Sequence, residues 1–380
     1  MKSDSFRRKH LLQLFQEYGR SSLPMDACLR DYCREHRALG SKDRKYIVDL
    51  AYGMIRWKGL IDYQLRKSDP TWEQRLDMFE DLTPSDYVNQ EHIPVHVRYS
   101  CPKELMDLLI ADYGLEEACR QAWVNNTEAP TTVRANTLKT TRDRLLQQFT
   151  DRYPVLPTTQ SPNGITFSRR INFLGMEEFR GGLFEVQDEA SQLAAALVTA
   201  RPGHTVLDYC AGSGGKSLAF APVMERQGQI FLHDIRQNAL QEARRRLRRA
   251  GIQTAQTVAH GDERMKQLLG RCDWVVVDAP CTGTGTLRRN PDMKWRFRTD
   301  WLQQVVNQQR QITGEALRYL KPNGRLVYLT CSVLRAENQR QIEYFQRAYH
   351  LFPSKEPLQT LPQLKGMDGF FGVVLKRQKD

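Results

Sequence analysis

Apolar positions recur at helical spacing through the first hundred residues, and then the pattern changes. Leu11, Leu12, Leu14 and Phe15 form one stripe. A second stripe, which Ser41 can cap, runs through Tyr46, Ile47, Leu50, Ala51, Met54, Ile55 and Trp57. Prolines break up residues 68–100, which read as loops and short helices. Residues 101–125 read as a helix with Leu105, Leu108, Leu109 and Tyr113 on one side. A small α/β unit follows. Its parts are an alternating strand at Thr131–Asn136 and a Thr141-capped helix through Leu145, Leu146 and Phe149, and it ends near Gly181-Gly182. An Ala/Leu-rich helix then runs from Gln187 to Val198.

From Gly203 onward the chain alternates strand, turn and helix. Strands are expected at 204–209, 229–234, 255–259, 273–278 and 324–330, and a last one at Gly369–Lys376. Helices are expected at 215–224, 237–250 and 301–320. Repeated βα units predict a doubly wound parallel sheet. There, loops at the strand carboxyl ends line a single crevice.

The 380 residues suffice for two or three domains. A net charge of +12 favours a polyanionic partner such as nucleic acid, although a basic protein without such a partner has the same balance. The first residues, Met1–Lys9, lack the apolar run of a secretory signal, and no stretch of apolar residues is long enough to span a membrane. The eight cysteines show no paired CxxC spacing. No metal and a reduced, cytoplasmic setting are expected.

Three strand-end segments carry candidate chemistry. After Thr205–Asp208 comes a turn, Cys210-Ala211-Gly212-Ser213-Gly214-Gly215-Lys216, whose glycines permit close backbone approach to a ligand or close packing. It is not a phosphate-binding GxxxxGK[ST] loop. Asp234, ending the next strand, suits a ribose diol or a helix cap. Asp262, ending the third, could meet an adenine amino group or be an ordinary loop carboxylate. Asp278-Ala279-Pro280-Cys281 and Thr330-Cys331-Ser332 each follow a buried strand, so two thiols would share the crevice. A single free cysteine is often core; two at corresponding strand ends suggest nucleophilic chemistry. The loop after Cys281 carries Arg288, Arg289, Lys294 and Trp295, suited to phosphates and an unpaired base, or to an ordinary surface. The six arginines of the helix at 237–250 and its leading residue read as a solvated outer face.

These segments resemble the RNA (cytosine-5) methyltransferases, in particular the bacterial ribosomal RNA enzymes of the RsmB type. The similarity lies in Gln187–Gln192, Asp278–Gly285, Arg288–Asp292, Thr330–Val333 and Glu337-Asn338. Ala38–Arg44 and the helix through Arg56-Trp57 resemble a NusB-like RNA-binding domain, and Arg134–Leu138 resembles the segment preceding the catalytic domain. The turn departs from the family's Ala-Pro-Gly-Gly-Lys, with Gly212-Ser213 in place of Ala-Pro, and Gly261-Asp262-Glu263-Arg264 is atypical.

The resemblance implies a NusB-like helical domain over 1–95, a small α/β segment over 96–195 and a Rossmann-like class I methyltransferase domain over 196–380. It implies S-adenosylmethionine as cofactor. Residues 210–216 would hold its methionine part, Asp234 its ribose and Asp262 its adenine, while Asp278 would border both cofactor and base. Cys331 would be the nucleophile and Cys281 would assist product release. The implied substrate is cytosine C5 in small-subunit ribosomal RNA, acted on by a monomer. A transfer RNA substrate is one alternative, and a catalytically silent RNA-binding or assembly factor is another.

Overall fold

The computed structural model describes residues 5–169 and 171–377. They fall into two compact units. One joins Met1–Glu128 to Thr286–Trp301, and the other joins Ala129–Gly285 to Leu302–Asp380. The helical unit thus extends past the boundary expected at residue 95, and it takes in a segment from the distant loop after Cys281.

The first unit is helical. Helices Ser5–Arg20, Met25–Glu35, Ser41–Leu65 and Trp72–Glu80 enclose a core that includes Leu14, Phe15, Tyr32, Ile47, Met54, Ile55 and Leu76. In Ser41–Leu65 the buried residues begin at Ile47, Ala51, Met54 and Ile55, at helical spacing, and widen to include Arg56 and Trp57 before Leu60 and Ile61. Thr71 caps Trp72–Glu80 with a full capping box to Gln74. The single helix expected at 101–125 is two, Lys103–Tyr113 and Leu115–Asn125. Gly114 adopts a φ of +81° between them, a conformation glycine enters without steric cost, and breaks the run.

The second unit holds two sheets. In the smaller, strands β1 (Thr131–Ala135), β2 (Val155–Pro157), β3 (Gly164–Phe167) and β4 (Phe184–Val186) pair in the order β2-β3-β1-β4, all antiparallel. The larger contains β5 (Thr205–Asp208), β6 (Gln229–Asp234), β7 (Ala255–Ala259), β8 (Cys272–Asp278), β9 (Leu320–Thr330), β10 (Leu351–Pro353), β11 (Leu358–Thr360) and β12 (Phe370–Arg377). Its order is β10-β12-β9-β8-β5-β6-β7, with β11 also paired to β12.

Strands β5 to β9 pair in parallel, but β12 enters antiparallel between β9 and β10. The sheet is therefore mixed and not all parallel. The helix Gln339–Tyr349 carries the chain from β9 to β10, and from there it turns back through β11 with no further helix, so β12 runs the opposite way. Both faces are buried. Val206, Ile230, Leu232, Trp274, Val276, Val327 and Leu329 pack into one core, and Leu207, Phe231, Val275, Val277, Leu326 and Tyr328 into the other. That is the period-two alternation of a strand placed between two layers, and it explains the continuous apolar runs in the sequence.

Candidate functional site

Parallel pairing of β5, β6 and β8 brings Asp208, Asp234 and Asp278 to the same edge of the sheet. The turn after β5 is held there by its own backbone. Ala211 N–H donates to the His233 carbonyl at 2.9 Å, and Gly214 N–H to the Ala211 carbonyl at 2.8 Å. Gly214 has φ +81°, and a Cβ there would lie 3.1 Å from the Leu232 side chain. Ser213 accepts two hydrogen bonds from Arg246, at 3.0 Å through its carbonyl and 2.8 Å through its hydroxyl, and Arg246 is itself paired with the buried Glu185. An arginine thus anchors the turn where the resemblance led one to expect proline.

Asp234 faces this turn and accepts from Gly212 N–H at 2.8 Å. Its remaining acceptor sites take Arg236, through the backbone at 2.8 Å and the guanidinium at 3.0 and 3.1 Å. Burial raises its pKa, but these donors outweigh burial and hold it below the ordinary carboxylate value. The following helix, Gln237–Ala250, is capped at Arg236 without a side-chain bond, so Asp234 is not its cap. Asp262 is held likewise by Arg264, through its backbone and guanidinium, which bring its pKa down to about 2.

Asp208 differs from both. Its Oδ2 accepts from Ser217 at 2.7 Å, but its Oδ1 is buried and finds no partner. Burial raises its pKa to about 7. In the sequence only its position before the glycine turn hinted at a role.

These features fit S-adenosylmethionine. The turn leaves room at Gly212, whose φ is +54°, where an added Cβ would meet only the tip of the Arg236 side chain, at 3.5 Å. The unpartnered Asp208 oxygen suits a cationic amino group, and Asp234 is an acceptor for hydroxyls once the half-exposed Arg236 yields. Ile235, directly after Asp234, is 72% exposed, an apolar side chain that a purine ring can cover.

Next to the turn, Lys216 Nζ donates to Asp278 Oδ2 at 2.9 Å. Burial disfavours the Lys216 ammonium, yet Asp278 and Cys331 hold its pKa above the ordinary value. Cys281 and Cys331 meet with their sulfurs 3.2 Å apart. The Cys281 thiol is pushed well up, first by its hydrogen bond to Cys331 and then by burial. The Gly285 N–H donates to the Cys331 carbonyl at 2.9 Å. A side chain at Gly285 would collide with the Gly369 carbonyl at 2.1 Å, which explains glycine in the run after Cys281. Cys210 is partly buried, and desolvation raises its thiol pKa, in keeping with a structural place in the turn.

Gln187–Gln192 braces the site from behind. Gln187 accepts from the buried Arg134 at 2.7 Å and donates to the Gly215 carbonyl at 3.2 Å, joining the small sheet to the cofactor turn. The arginines of Gln237–Ala250 are not uniformly solvated either, because Arg246 and Arg249 both pair with Glu185.

Of the four residues expected to contact RNA, the fold buries Arg288 and Lys294 and half-buries Arg289 and Trp295. Within the helical unit Lys294 is 2% exposed and gives its three N–H groups to the Arg56 carbonyl, the Ser100 carbonyl and Asn126 Oδ1, each at 2.6 Å. Trp295 donates to the Ile55 carbonyl at 2.8 Å and packs on the helical core. Arg288 is wholly buried, and Arg289 is half-buried. Within this unit the Lys294 ammonium satisfies buried oxygens, two of them backbone carbonyls. Among the described residues no group of three or more His, Cys, Asp or Glu is placed to hold a metal ion, and no helix is long and apolar enough to cross a membrane.

Residues 195–376 match the family model for 16S rRNA methyltransferase RsmB/F, and residues 101–173 match the RsmF/B-like ferredoxin-like domain. Ribosomal RNA small subunit methyltransferase B of Vibrio cholerae is 33% identical over 295 residues, which cover 74% of this chain and 66% of that protein. The protein of the same name from Escherichia coli is 30% identical over 334 residues, covering 84% and 73%. The chain thus spans about two thirds to three quarters of the length of these relatives. The crystal structure titled PH0851 superposes with a TM-score of 0.82 at 21% identity, over 99% of this chain and 100% of that one, and shows a shared fold.

Proposed function

The chain belongs to the RsmB/F family of S-adenosylmethionine-dependent ribosomal RNA methyltransferases, and on that footing we propose that it methylates C5 of a cytosine in small-subunit ribosomal RNA through a covalent cysteine adduct. The observation that carries this reading is the pair of sulfurs 3.2 Å apart at the ends of adjacent parallel strands, beside the Lys216–Asp278 ion pair.

Cytosine C5 becomes nucleophilic only after something adds to C6. Cys331 Sγ supplies that addition. A bond forms between Sγ and C6, and the C5=C6 electron pair is released towards C5. The raised Cys281 thiol supports this division of labour. Of the two sulfurs, Cys281 is the one that holds its proton, and its thiol lies within hydrogen-bond reach of Cys331 Sγ.

The bound cofactor supplies an electrophilic methyl group on sulfur. Residues 210–216 with Asp208 hold its methionine part, and Asp234 its ribose hydroxyls. Asp262 is offered towards the adenine only if Arg264 releases it. Asp278, fixed by Lys216, borders cofactor and base.

After transfer the C5 proton must leave before the Sγ–C6 bond can break and C5=C6 re-form. Consumption of Cys331 in that bond removes the main cause of the raised Cys281 pKa. Once it has released its own proton to water, the Cys281 thiolate can take the C5 proton or relay it.

The NusB-like reading assigns RNA docking to the helical unit, where Arg30, Arg37 and Lys42 are exposed. A cytoplasmic monomer fits this role. Transfer of a labelled methyl group from S-adenosylmethionine to purified 16S ribosomal RNA, followed by nucleoside analysis, tests the proposal. Label in 5-methylcytidine of that RNA is expected. Label on another atom, or in transfer RNA alone, overturns it.

A further inference from the structure

Behind the two cysteines lies a buried carboxylate that the mechanism above does not use. Glu337 sits in the turn between β9 and the helix Gln339–Tyr349, is fully buried, and accepts four hydrogen bonds. Its Oε1 takes the Thr282 N–H at 2.9 Å and Gln309 Nε2 at 2.9 Å. Its Oε2 takes the hydroxyls of Thr282 and Ser332, each at 2.5 Å. Thr282 directly follows Cys281 and Ser332 directly follows Cys331. One side chain therefore grips the neighbour of each thiol.

The grip is reinforced on every side. Thr284 and Ser332 hydroxyls meet at 2.9 Å, and Val333 N–H donates to Thr284 Oγ1 at 3.1 Å. Asn338 donates to the Ser332 carbonyl at 2.9 Å and accepts from the Thr330 hydroxyl at 2.6 Å. Gln309 also donates to the Pro280 carbonyl, one residue before Cys281, at 3.0 Å. A buried charge at this depth costs free energy unless all its lone pairs are engaged. Burial does raise the pKa of Glu337, and its donors oppose that shift. An apolar residue could fill the same volume, so retaining an acid here calls for a purpose beyond packing.

We propose that Glu337 is a positioning residue for the methyl-transfer reaction, the carboxylate that locks the two cysteine loops together and sets the separation of their sulfurs. This rests on the roles given above to Cys331 and Cys281. It adds that their spacing depends on a residue that touches neither substrate nor cofactor. Carboxylate geometry suits the task because two oxygens can each receive two donors from two different loops.

The test reads thiol spacing without any substrate. In the free full-length protein, diamide takes two electrons and two protons from a pair of neighbouring thiols, forming a disulfide and the reduced hydrazine. The Cys281–Cys331 bridged peptide is followed by mass spectrometry. In Glu337→Ala, bridging and kcat should both fall, by about 100-fold if a sulfur is displaced by roughly 1 Å, with S-adenosylmethionine affinity unchanged.

Glu337→Gln should recover both. The amide oxygen can accept from Thr282 N–H and Gln309, while its N–H groups donate to the two hydroxyls, which turn round. Wild-type bridging in Glu337→Ala overturns the proposal. So does Glu337→Gln that bridges normally but is as inactive as Glu337→Ala, because charge and not position would then be the cause. If Glu337→Ala fails to fold, Ser332→Ala, which removes one donor on the Cys331 side, must still slow bridging. Should bridging respond as predicted while no variant, nor the wild type, methylates cytosine, the spacing role stands and the reaction assignment fails.

Discussion

Replacing Lys294 by methionine separates two readings of the basic loop after Cys281. In the structure its ammonium donates to three buried oxygens of the helical unit, all at 2.6 Å. Methionine fills nearly the same volume but donates nothing. The Arg56 carbonyl, the Ser100 carbonyl and Asn126 Oδ1 would then be left without this donor. Each buried acceptor left unpaired costs about 1–3 kcal/mol. The Arg56 carbonyl keeps its partner within Ser41–Leu65, so two acceptors are orphaned and the gross loss is roughly 2–6 kcal/mol, offset in part because no ammonium has to be desolvated. Burial already pulls the pKa of Lys294 down to about 7, so that offset is real. A net loss of roughly 3 kcal/mol would lower the melting temperature of a unit of this size by about 10 °C. Thermal unfolding followed by circular dichroism measures this directly. A lysine lost from a phosphate contact predicts otherwise: an unchanged melting temperature, and a salt dependence of RNA affinity reduced by about one counterion. That combination would refute the structural reading of Lys294.

Two further substitutions probe the cofactor side. Asp234→Ala removes the acceptor proposed for the ribose hydroxyls. It should weaken S-adenosylmethionine binding by roughly ten- to a hundredfold while RNA affinity holds, and unchanged binding in calorimetry would reject the role. Asp208→Asn tests the buried acid whose pKa burial raises to about 7. The folded state keeps a proton that the unfolded chain loses near pH 4, so this group's stabilising contribution is complete at low pH. It is lost as pH climbs to about 7, and the neutral amide has no such loss. The stability gap in favour of the variant should therefore widen by about 1.4 kcal/mol per pH unit across that window in urea titrations. A gap independent of pH would show that Asp208 is ionised throughout.

Most of the parallel sheet could be read from the sequence because strand burial on both faces leaves continuous apolar runs, as in Trp274–Val277. The candidate thiols were legible for a related reason, since parallel strands deliver their following loops to a common edge. The antiparallel β12 was not legible. Its direction depends on how β10 and β11 route the chain, and an eight-residue apolar strand reads the same in either direction.

The basic loop misled because Arg288, Lys294 and Trp295 have the composition of an RNA contact, while long-range backbone oxygens such as Ile55 and Ser100 decide where they point. Asp208 looked ordinary in sequence, and Glu337 entered only within the family resemblance, with no role of its own. What sets them apart is an unpartnered oxygen in one case and four converging donors in the other. Both are properties of the packed fold and not of local spacing.

The central claim concerns which sulfur attacks. Cys281→Ala leaves Cys331 able to add to C6 and receive a methylated base, yet removes the group that clears the C5 proton. Incubated with small-subunit ribosomal RNA and S-adenosylmethionine, that variant should accumulate a covalent protein–RNA species that survives denaturing gels. Nuclease and protease digestion followed by mass spectrometry should place a methylated cytosine on the peptide containing Cys331. Free RNA with normal turnover, or an adduct that maps to any cysteine other than Cys331, would contradict the account.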